Sequence, residues 1–192
     1  MKDVYVTGDH HFDHAGIIAI ENRPFHSENH QKKSLIRFHN EVVTDFDTVY
    51  FLGDLFMGGR SHKSSIEQVV SQLNGQKHLI LGNHDILDPL RDYVEMGFHT
   101  VHTCMWLSIK ENVPHLYEEI ENLHEGIDRV YMVHDPASSI ISKDNLWLCA
   151  HVHSAFRKVK NIVNVGVDVR NYRPMLLEDA VREFMSGEEY IP

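Results

Sequence analysis

Short apolar runs separated by helix-forming stretches make up the first half of the chain. Three runs are β-branched or bulky and predict strands: Asp3–Thr7, Thr48–Leu52 and Lys77–Leu81. Each is followed by Gly and then by Asp or Asn. Strands that alternate with helices predict an α/β fold with a largely parallel sheet, whose strands have their carboxyl ends at one edge.

Helical patterns lie between and after these strands. The predicted helices run from Ser27 to about Phe46, from Ser64 to Asn74, and from Asp88 toward Met96. The second opens with a capping box, Ser64-x-x-Glu67, and closes at Asn74-Gly75. The third follows Asp88-Pro89, a pair typical of a helix start.

The second half is richer in strands. They are predicted at Val101–Ile109, Arg129–Val133, Leu146–Ala150 and Asn161–Val165, with a final amphipathic helix at Glu178–Met185. Residues 111–128 fit either a helix that starts at Pro114 or a hairpin arm. Because the chain contains no repeat or Gly/Ser linker, we predict one domain over residues 1–192, with a helical or hairpin insertion at 111–128.

Composition narrows the classes of function. The net charge of −10 disfavours a protein that binds long duplex nucleic acid, for which a basic face is typical. No apolar run is long enough for a membrane span, and the amino terminus is predicted to be a strand rather than a secretory signal. Two cysteines, Cys104 and Cys149, are predicted to be buried free thiols, so we expect a cytoplasmic protein. The 16 histidines are the unusual feature.

Five short strings place metal-binding residue types directly after predicted strands. They are Asp9-x-His11, Gly53-Asp54, Gly82-Asn83-His84-Asp85, Val133-His134 and His151-x-His153. Carboxylate, imidazole and amide groups suit Mn²⁺, Fe, Zn²⁺ or Ni²⁺. Side chains two residues apart leave a strand on the same side, so one pair can reach one ion or two neighbouring ions.

The order of these strings resembles that of the calcineurin-like metallophosphoesterases: D-x-H, G-D, G-N-H-[DE], a lone H, and G-H-x-H. The resemblance covers residues 9–153 and is strongest to the small, uncapped, single-domain branch, through G-D-H-H-F-D-H (8–14), N-R-P-F (22–25), N-V-G-V-D (164–168) and N-Y-R-P (171–174). It implies a four-layer αββα sandwich of two mixed sheets flanked by helices. The chain departs from the family at Ala150, where the family has Gly, and at Asp135, which follows the lone His.

The resemblance also implies the site. Two divalent metal ions are expected, Mn²⁺ first, with Fe, Zn²⁺, Ni²⁺ or Co²⁺ as alternatives. One ion would be held by Asp9, His11 and His153, the other by Asn83, His134 and His151, and Asp54 would bridge them. A hydroxide between the ions would attack phosphorus in line while His84, oriented by Asp85, protonates the leaving group. The candidate substrate contacts are His14, Arg23, Asn171 and Arg173, although a structural salt bridge is an equal alternative for Arg23.

The expected activity is hydrolysis of a nucleotide-type phosphodiester, such as a cyclic nucleotide or short oligonucleotide, or of a phosphomonoester. Two alternatives stay open at this point: a non-catalytic binding scaffold on the same fold, and a nuclease acting on polymeric nucleic acid. The expected partner is a small phosphate ester, with neither a long duplex nor a membrane. The apolar stripe Leu116–Leu123 is a candidate surface for a homodimer.

Overall fold

A computed structural model describes residues 2–57, 63–85, 91–137, 140–142 and 145–191. Its strands form two mixed five-stranded sheets. The first sheet contains β1 (Val4–Thr7), β2 (Thr48–Leu52), β3 (Gln76–Ile80), β4 (Thr100–His102) and β10 (Met175–Leu176), in the order β10-β1-β2-β3-β4. Strands β1 to β4 pair in parallel and β10 pairs antiparallel to β1.

The second sheet has the order β5-β6-β7-β9-β8. Its strands are β5 (Cys104–Ser108), β6 (Arg129–Val133), β7 (Leu146–Cys149), β8 (Lys158–Val159) and β9 (Ile162–Asn164). Strands β6, β7 and β9 pair in parallel, whereas β5 and β8 pair antiparallel to their neighbours at the two edges. The α/β class predicted from the sequence is confirmed, with two mixed sheets.

Seven α-helices are described. They are α1 (Ala15–Ile20), α2 (Glu28–Asn40), α3 (Lys63–Val70), α4 (Arg91–Glu95), α5 (Ile109–Asn112), α6 (Pro114–Leu123) and α7 (Leu177–Met185). The Ser27 side chain caps α2 by accepting a hydrogen bond from the backbone N–H of His30. Pro114 occupies the first turn of α6, so residues 111–128 are mainly helical and the hairpin alternative is wrong.

Two hydrophobic cores explain why the central strands are apolar on both faces. The inner core joins the two sheets and includes Leu52 and Ile80 from the first and Met132 and Leu148 from the second. The outer core packs the other face of the first sheet against α2 and α3, with Phe51 among its members. Because side chains alternate along a strand, Phe51 and Leu52 enter different cores.

Helices α5, α6 and α7 contribute to the inner core rather than to the outer one. Their buried members include Ile109, Leu116, Ile120 and Phe184. Leu116 and Ile120 are thus covered within the chain, and only Leu123 of that stripe is largely exposed, at 58%. The interpretation of Leu116–Leu123 as a dimer surface is therefore wrong, and a homodimer stays a prediction without this support.

Several predicted boundaries differ from the structure. The run Val101–Ile109 is not one strand: it breaks at Thr103, so that β4 ends the first sheet and β5 begins the second. Ser64 lies within α3, which already includes Lys63, so it does not cap that helix. Helix α2 ends at Asn40, short of Phe46. The predicted helix start at Asp88-Pro89 lies outside the described residues.

The remaining expectations concern the thiols and the membrane. Cys149 is a buried free thiol as predicted, whereas Cys104 is exposed because it lies on the outward side of the edge strand β5. Within the part of the chain that is described, no helix combines the length and apolar character needed to cross a bilayer.

Candidate metal centre

The carboxyl ends of the parallel strands of both sheets meet at one edge. Beyond β1 and β2, the backbone pairing continues, since the N–H groups of Asp9 and His11 donate to the carbonyls of Gly53 and Asp54, at 3.1 and 3.0 Å. A parallel bridge between Gly8 and Gly166 joins this edge of the first sheet to the segment after β9 in the second. Residues that follow β1, β2, β3, β6 and β7 are thereby brought together.

The backbone at this edge is strained in a consistent way. Five of the seven predicted ligands have φ between 46° and 70°, namely Asp9, His11, Asp54, His151 and His153. Non-glycine residues seldom adopt this left-handed region, and each such residue costs on the order of 1–3 kcal/mol. The fold therefore holds these side chains in place at the expense of stability.

One group of ligand atoms comes from Asp9, His11 and His153, which lie within 4.8 Å of one another. Asp9 and His11 are buried, at 0% and 2% exposure. Oδ1 of Asp9 and both ring nitrogens of His11 have no hydrogen-bond partner, although buried polar atoms are normally satisfied. A cation bound at this point would satisfy Asp9 Oδ1 and one ring nitrogen of His11.

A second group surrounds the Nε2 atom of His134. Asn83 Oδ1 lies 3.1 Å from it, His151 Nδ1 3.2 Å and Asp54 Oδ2 3.4 Å. Ligand atoms that bind one ion at about 2.0–2.2 Å lie about 3–3.5 Å apart, so these spacings fit a common cation. The opposite ring nitrogen of His134, Nδ1, is 2.7 Å from the carbonyl of Leu52, which fixes the orientation of the ring.

Asp54 faces both groups. Its Oδ2 atom is 3.4 Å from His134 Nε2 and 3.7 Å from His11 Nε2. Its Oδ1 atom accepts a hydrogen bond from the backbone N–H of His84 at 2.9 Å. This approach requires glycine at position 82, because a Cβ atom there would overlap Asp54 Oδ1. The structure therefore brings all seven predicted ligands together, with Asp54 between the two groups.

Burial and neighbouring charges shift the pKa values of Asp9, His134 and Asp54. Burial raises the pKa of Asp9 to about 7, against the opposing effect of His153 and His134. Although burial favours the neutral ring, the hydrogen bond to Asp54 and the charges of Asp9 and Asp54 raise the pKa of His134 to about 9. Burial would raise the pKa of Asp54, but its interactions with His134 outweigh this and lower it to about 2.

His84 stands beside the second oxygen of Asp54, with its Nε2 atom 3.8 Å from Asp54 Oδ2 and its side chain 34% exposed. Asp85 does not orient this ring among the described contacts. Its Oδ2 atom accepts hydrogen bonds from the backbone N–H groups of Asp54 and Gly82, at 2.7 and 2.8 Å. The expectation for Asp85 is corrected accordingly: the carboxylate joins the two loops that present Asp54 and Asn83.

The four candidate substrate contacts have different surroundings. The His14 ring lies 5.4 Å from that of His11, at the margin of the first group. Arg173 instead forms an ion pair with Glu41 at 2.7 Å and stacks on Phe38, both in or next to α2, and its guanidinium also contacts the carbonyl of Asn171. The described contacts of Asn171 and Arg173 thus connect residues 171–173 to α2 rather than to the ligand groups.

Arg23 is buried, with 4% exposure, and forms an ion pair with Asp168 at 2.8 Å. Its five N–H donors make five hydrogen bonds to the protein, so none is left for a phosphate. The expectation of a substrate contact is wrong for Arg23, and the structural salt bridge is what the fold contains.

Asp168 was not among the predicted site residues. Its Oδ2 atom lies 2.8 Å from Nδ1 of His153, and with Glu21 these residues form a further cluster of acidic and imidazole groups. The only local signal is its position in N-V-G-V-D, which lacks any metal-binding spacing. A carboxylate 15 residues from its histidine partner can be found only in the tertiary structure.

Ala150 stands where the metallophosphoesterase pattern has glycine, and it fits because Gly8 leaves the space that its methyl group needs. A Cβ atom at position 8 would lie 2.7 Å from the Cβ of Ala150. The backbone N–H of Ala150 donates to the carbonyl of His134, and the next residue, His151, adopts a φ of 70°. The turn that presents His151 therefore forms without a glycine before it.

Comparison with known proteins identifies relatives. No protein-family model matches the chain. It is 29% identical to uncharacterized protein MJ1445 of Methanocaldococcus jannaschii, over 98% of this chain and 94% of that protein. It is 33% identical over 90 residues to the gene 66 protein of Mycobacterium phage L5, a match that spans 47% of this chain and 43% of the phage protein.

A solved structure shares the fold. The crystal structure of AQ665, a protein of unknown function from Aquifex aeolicus, aligns with a TM-score of 0.67. The alignment covers 95% of this chain and all of AQ665, at 19% sequence identity. At this identity the likeness establishes a common fold and nothing about activity.

Proposed function

We propose that this chain is a dinuclear-metal-dependent phosphoesterase of the calcineurin-like metallophosphoesterase superfamily, in its small uncapped branch. The proposal includes the four-layer αββα description of the fold, which is supported by the two mixed sheets joined through the inner core and by α2 and α3 outside the first sheet. The proposed substrate is a nucleotide-type phosphodiester, with a phosphomonoester as the alternative.

The observation that most supports the proposal is the strained backbone of the sheet edge that presents the candidate ligands. Asp9, His11, Asp54, His151 and His153 adopt left-handed backbone conformations, and their side chains converge with Asn83 and His134 on two adjoining points. Proton-free acceptor atoms that face one another across about 3 Å repel unless a cation or proton lies between them. The carboxylate, imidazole and amide set fits Mn²⁺ and the neighbouring transition ions.

Asp9, His11 and His153 would hold one ion, Asn83, His134 and His151 the other, with Asp54 shared. When bound, two such ions supply Lewis-acid polarisation of a phosphoryl group and an activated water nucleophile. The protein supplies the ring orientation: His134 is held by the Leu52 carbonyl and His153 by Asp168.

His84 is the proposed proton donor to the leaving oxygen. Its backbone N–H is anchored on Asp54 Oδ1, and its ring is partly exposed at the mouth of the site with Nε2 facing Asp54. An imidazole can hold and release a proton near neutral pH, and such general-acid catalysis contributes about 10²- to 10⁴-fold to a rate.

The test compares hydrolysis of an aryl phosphodiester and an aryl phosphomonoester by metal-depleted protein to which Mn²⁺ is returned. His84→Ala should reduce turnover by about 10²- to 10⁴-fold while the protein still binds two ions. The matched control is His115→Ala, which removes an exposed histidine of α6 that pairs with Glu178.

Loss of an ion with His84→Ala would make His84 a ligand rather than a proton donor. Wild-type protein that binds two ions and hydrolyses neither ester nor any nucleotide tested would favour a binding scaffold. Faster hydrolysis of the monoester would overturn the diester preference.

A further inference from the structure

A buried polar network lies behind the first ligand group and connects segments from both sheets. At its centre, the Arg23 guanidinium pairs with both oxygens of Asp168, through Nε at 2.8 Å and Nη2 at 2.9 Å. Both side chains are almost fully buried, at 0% and 2% exposure. Apolar residues of similar volume are often no less stable than a buried ion pair, so stability alone does not account for this pair.

The same guanidinium holds the turn that contains Asp9 and His11. Nη2 donates to the carbonyl of Asp9 at 2.7 Å, and Nη1 donates to the carbonyl of His10 at 2.9 Å. Gln31 of α2 accepts from Nη1 and donates to the carbonyl of His11, both at 3.3 Å. Three successive carbonyls of the strained turn are therefore held by side chains that never reach the ligand atoms.

Asp168 also determines which nitrogen of His153 is available. A carboxylate paired with arginine is ionised and only accepts hydrogen bonds, so the contact of 2.8 Å to His153 requires a proton on Nδ1. The lone pair of the neutral ring is then on Nε2. Because Arg23 already balances the charge of Asp168, the Glu21–His153–Asp168 cluster differs from an open cation site.

We infer that Asp168 is a positioning residue that fixes the tautomer and orientation of His153, and that Arg23 couples this orientation to the Asp9–His11 turn. This inference rests on the proposed metal-dependent function. The Arg23–Asp168 ion pair would then hold both parts of the first ligand group, residues 9–11 and residue 153, which lie far apart in the sequence.

The first experiment leaves Arg23 and Asp168 unchanged. Wild-type protein with ¹⁵N-labelled histidine is loaded with Zn²⁺, and the tautomer of His153 is read from long-range ¹H–¹⁵N correlations, with the signal assigned by its loss in His153→Gln. We expect a proton on Nδ1, protected by Asp168. A proton on Nε2 of His153 would overturn the inference whatever the variants do.

The second experiment measures Zn²⁺ affinity by competition with a chromophoric chelator. Asp168→Asn should weaken one of the two Zn²⁺ sites by about 10- to 100-fold and leave the other near its wild-type affinity. Since Asp168→Asn leaves the Arg23 charge buried and unpaired, the double variant Arg23→Gln/Asp168→Asn is measured beside it and should show at least the same loss.

The matched control is Glu183→Gln, the same carboxylate-to-amide change in the Arg170–Glu183 pair, which has contacts of 2.6 and 3.0 Å and touches none of the seven ligands in the described contacts. Both Zn²⁺ affinities should then be unchanged. If folded Asp168→Asn binds two Zn²⁺ ions as tightly as wild type, the inference is wrong and the proposed function stands. If wild type binds no Zn²⁺, both fall.

Discussion

In the metal-free chain, protons occupy the positions where cations are proposed to bind. Burial raises the pKa of Asp9 to about 7, and the interactions with Asp54 and Asp9 raise that of His134 to about 9 despite burial. A raised pKa in the folded state means that the proton is held below that pH and must leave before an ion binds. Affinity for a divalent ion should therefore fall as the pH is lowered.

The slope follows from the two values. Below pH 7 Asp9 and His134 each hold a proton. Burial would lower the pKa of His153, but its hydrogen bond to Asp168 outweighs this effect and raises it. Binding at both positions therefore releases at least two protons, and the logarithm of the overall binding constant should rise by two or more per pH unit. Above pH 7 the Asp9 proton is lost, and the slope should fall toward one as the pH approaches 9, where the His134 proton remains. Above pH 9 it should approach zero.

The assay measures Mn²⁺ binding to metal-depleted protein from about pH 6 to 9 by chelator competition. Calorimetry in buffers of different ionisation enthalpy counts the released protons independently. Asp9→Asn should remove about one proton from the count below pH 7, because its amide does not titrate. His39→Gln is the control, since His39 is a buried histidine that contacts the carbonyl of Asn74 and none of the ligands.

A binding constant that does not change over this pH range would refute the reasoning, because protons on Asp9 and His134 and a cation cannot share the same lone pairs. A slope of two that persists above pH 9 would also contradict it, since the Asp9 and His134 protons are both lost there.

Three further results are expected. Gly8→Ala should destabilise the fold by about 1–3 kcal/mol in urea unfolding, because its Cβ would lie 2.7 Å from that of Ala150. Adding Ala150→Gly to this variant should restore most of the lost stability, and no recovery would contradict the contact. Burial lowers the pKa of His39 to about 4, so the neutral ring contributes fully to the free energy of unfolding above about pH 6.5. This contribution is lost as the pH falls toward 4, by up to about 3 kcal/mol, and His39→Gln should show a shallower acid-unfolding curve. Leu116→Ala should cost about 2–5 kcal/mol without changing the solution mass, whereas Leu123→Ala, at an exposed position, should stay within about 0.5 kcal/mol.

Strands β1 and β2 could be predicted from local pattern because they are short, apolar on both faces and followed by a glycine. Asp3–Thr7 and Thr48–Leu52 agree with β1 and β2 to within a residue. Boundaries that depend on partners were missed. Nothing in the apolar run Val101–Ile109 indicates that Thr103 is where the chain passes from one sheet to the other.

The same contrast holds at the site. That Asp9, His11, Asp54 and the other candidate ligands come together could be predicted, because their spacing is local and strand ends of parallel sheets meet at one edge. The roles of Asp85 and Arg23 could not, because a charged side chain in a motif can face solvent, a ligand or a backbone amide, and burial decides among them. Asp85 holds two backbone N–H groups and Arg23 holds Asp168.

The amino-acid order by itself determined the types of the candidate ligands, their succession and their position after strands, since these depend on periodicity and on side-chain chemistry within a few residues. Only the tertiary structure decided that Asp54 faces both groups, that Gly8 leaves room for Ala150 before the turn at His151, and that Asp168 contacts His153. Such relations join residues far apart in the chain, and they arise from close packing of the two sheets, where a single Cβ or one proton determines which contact can form.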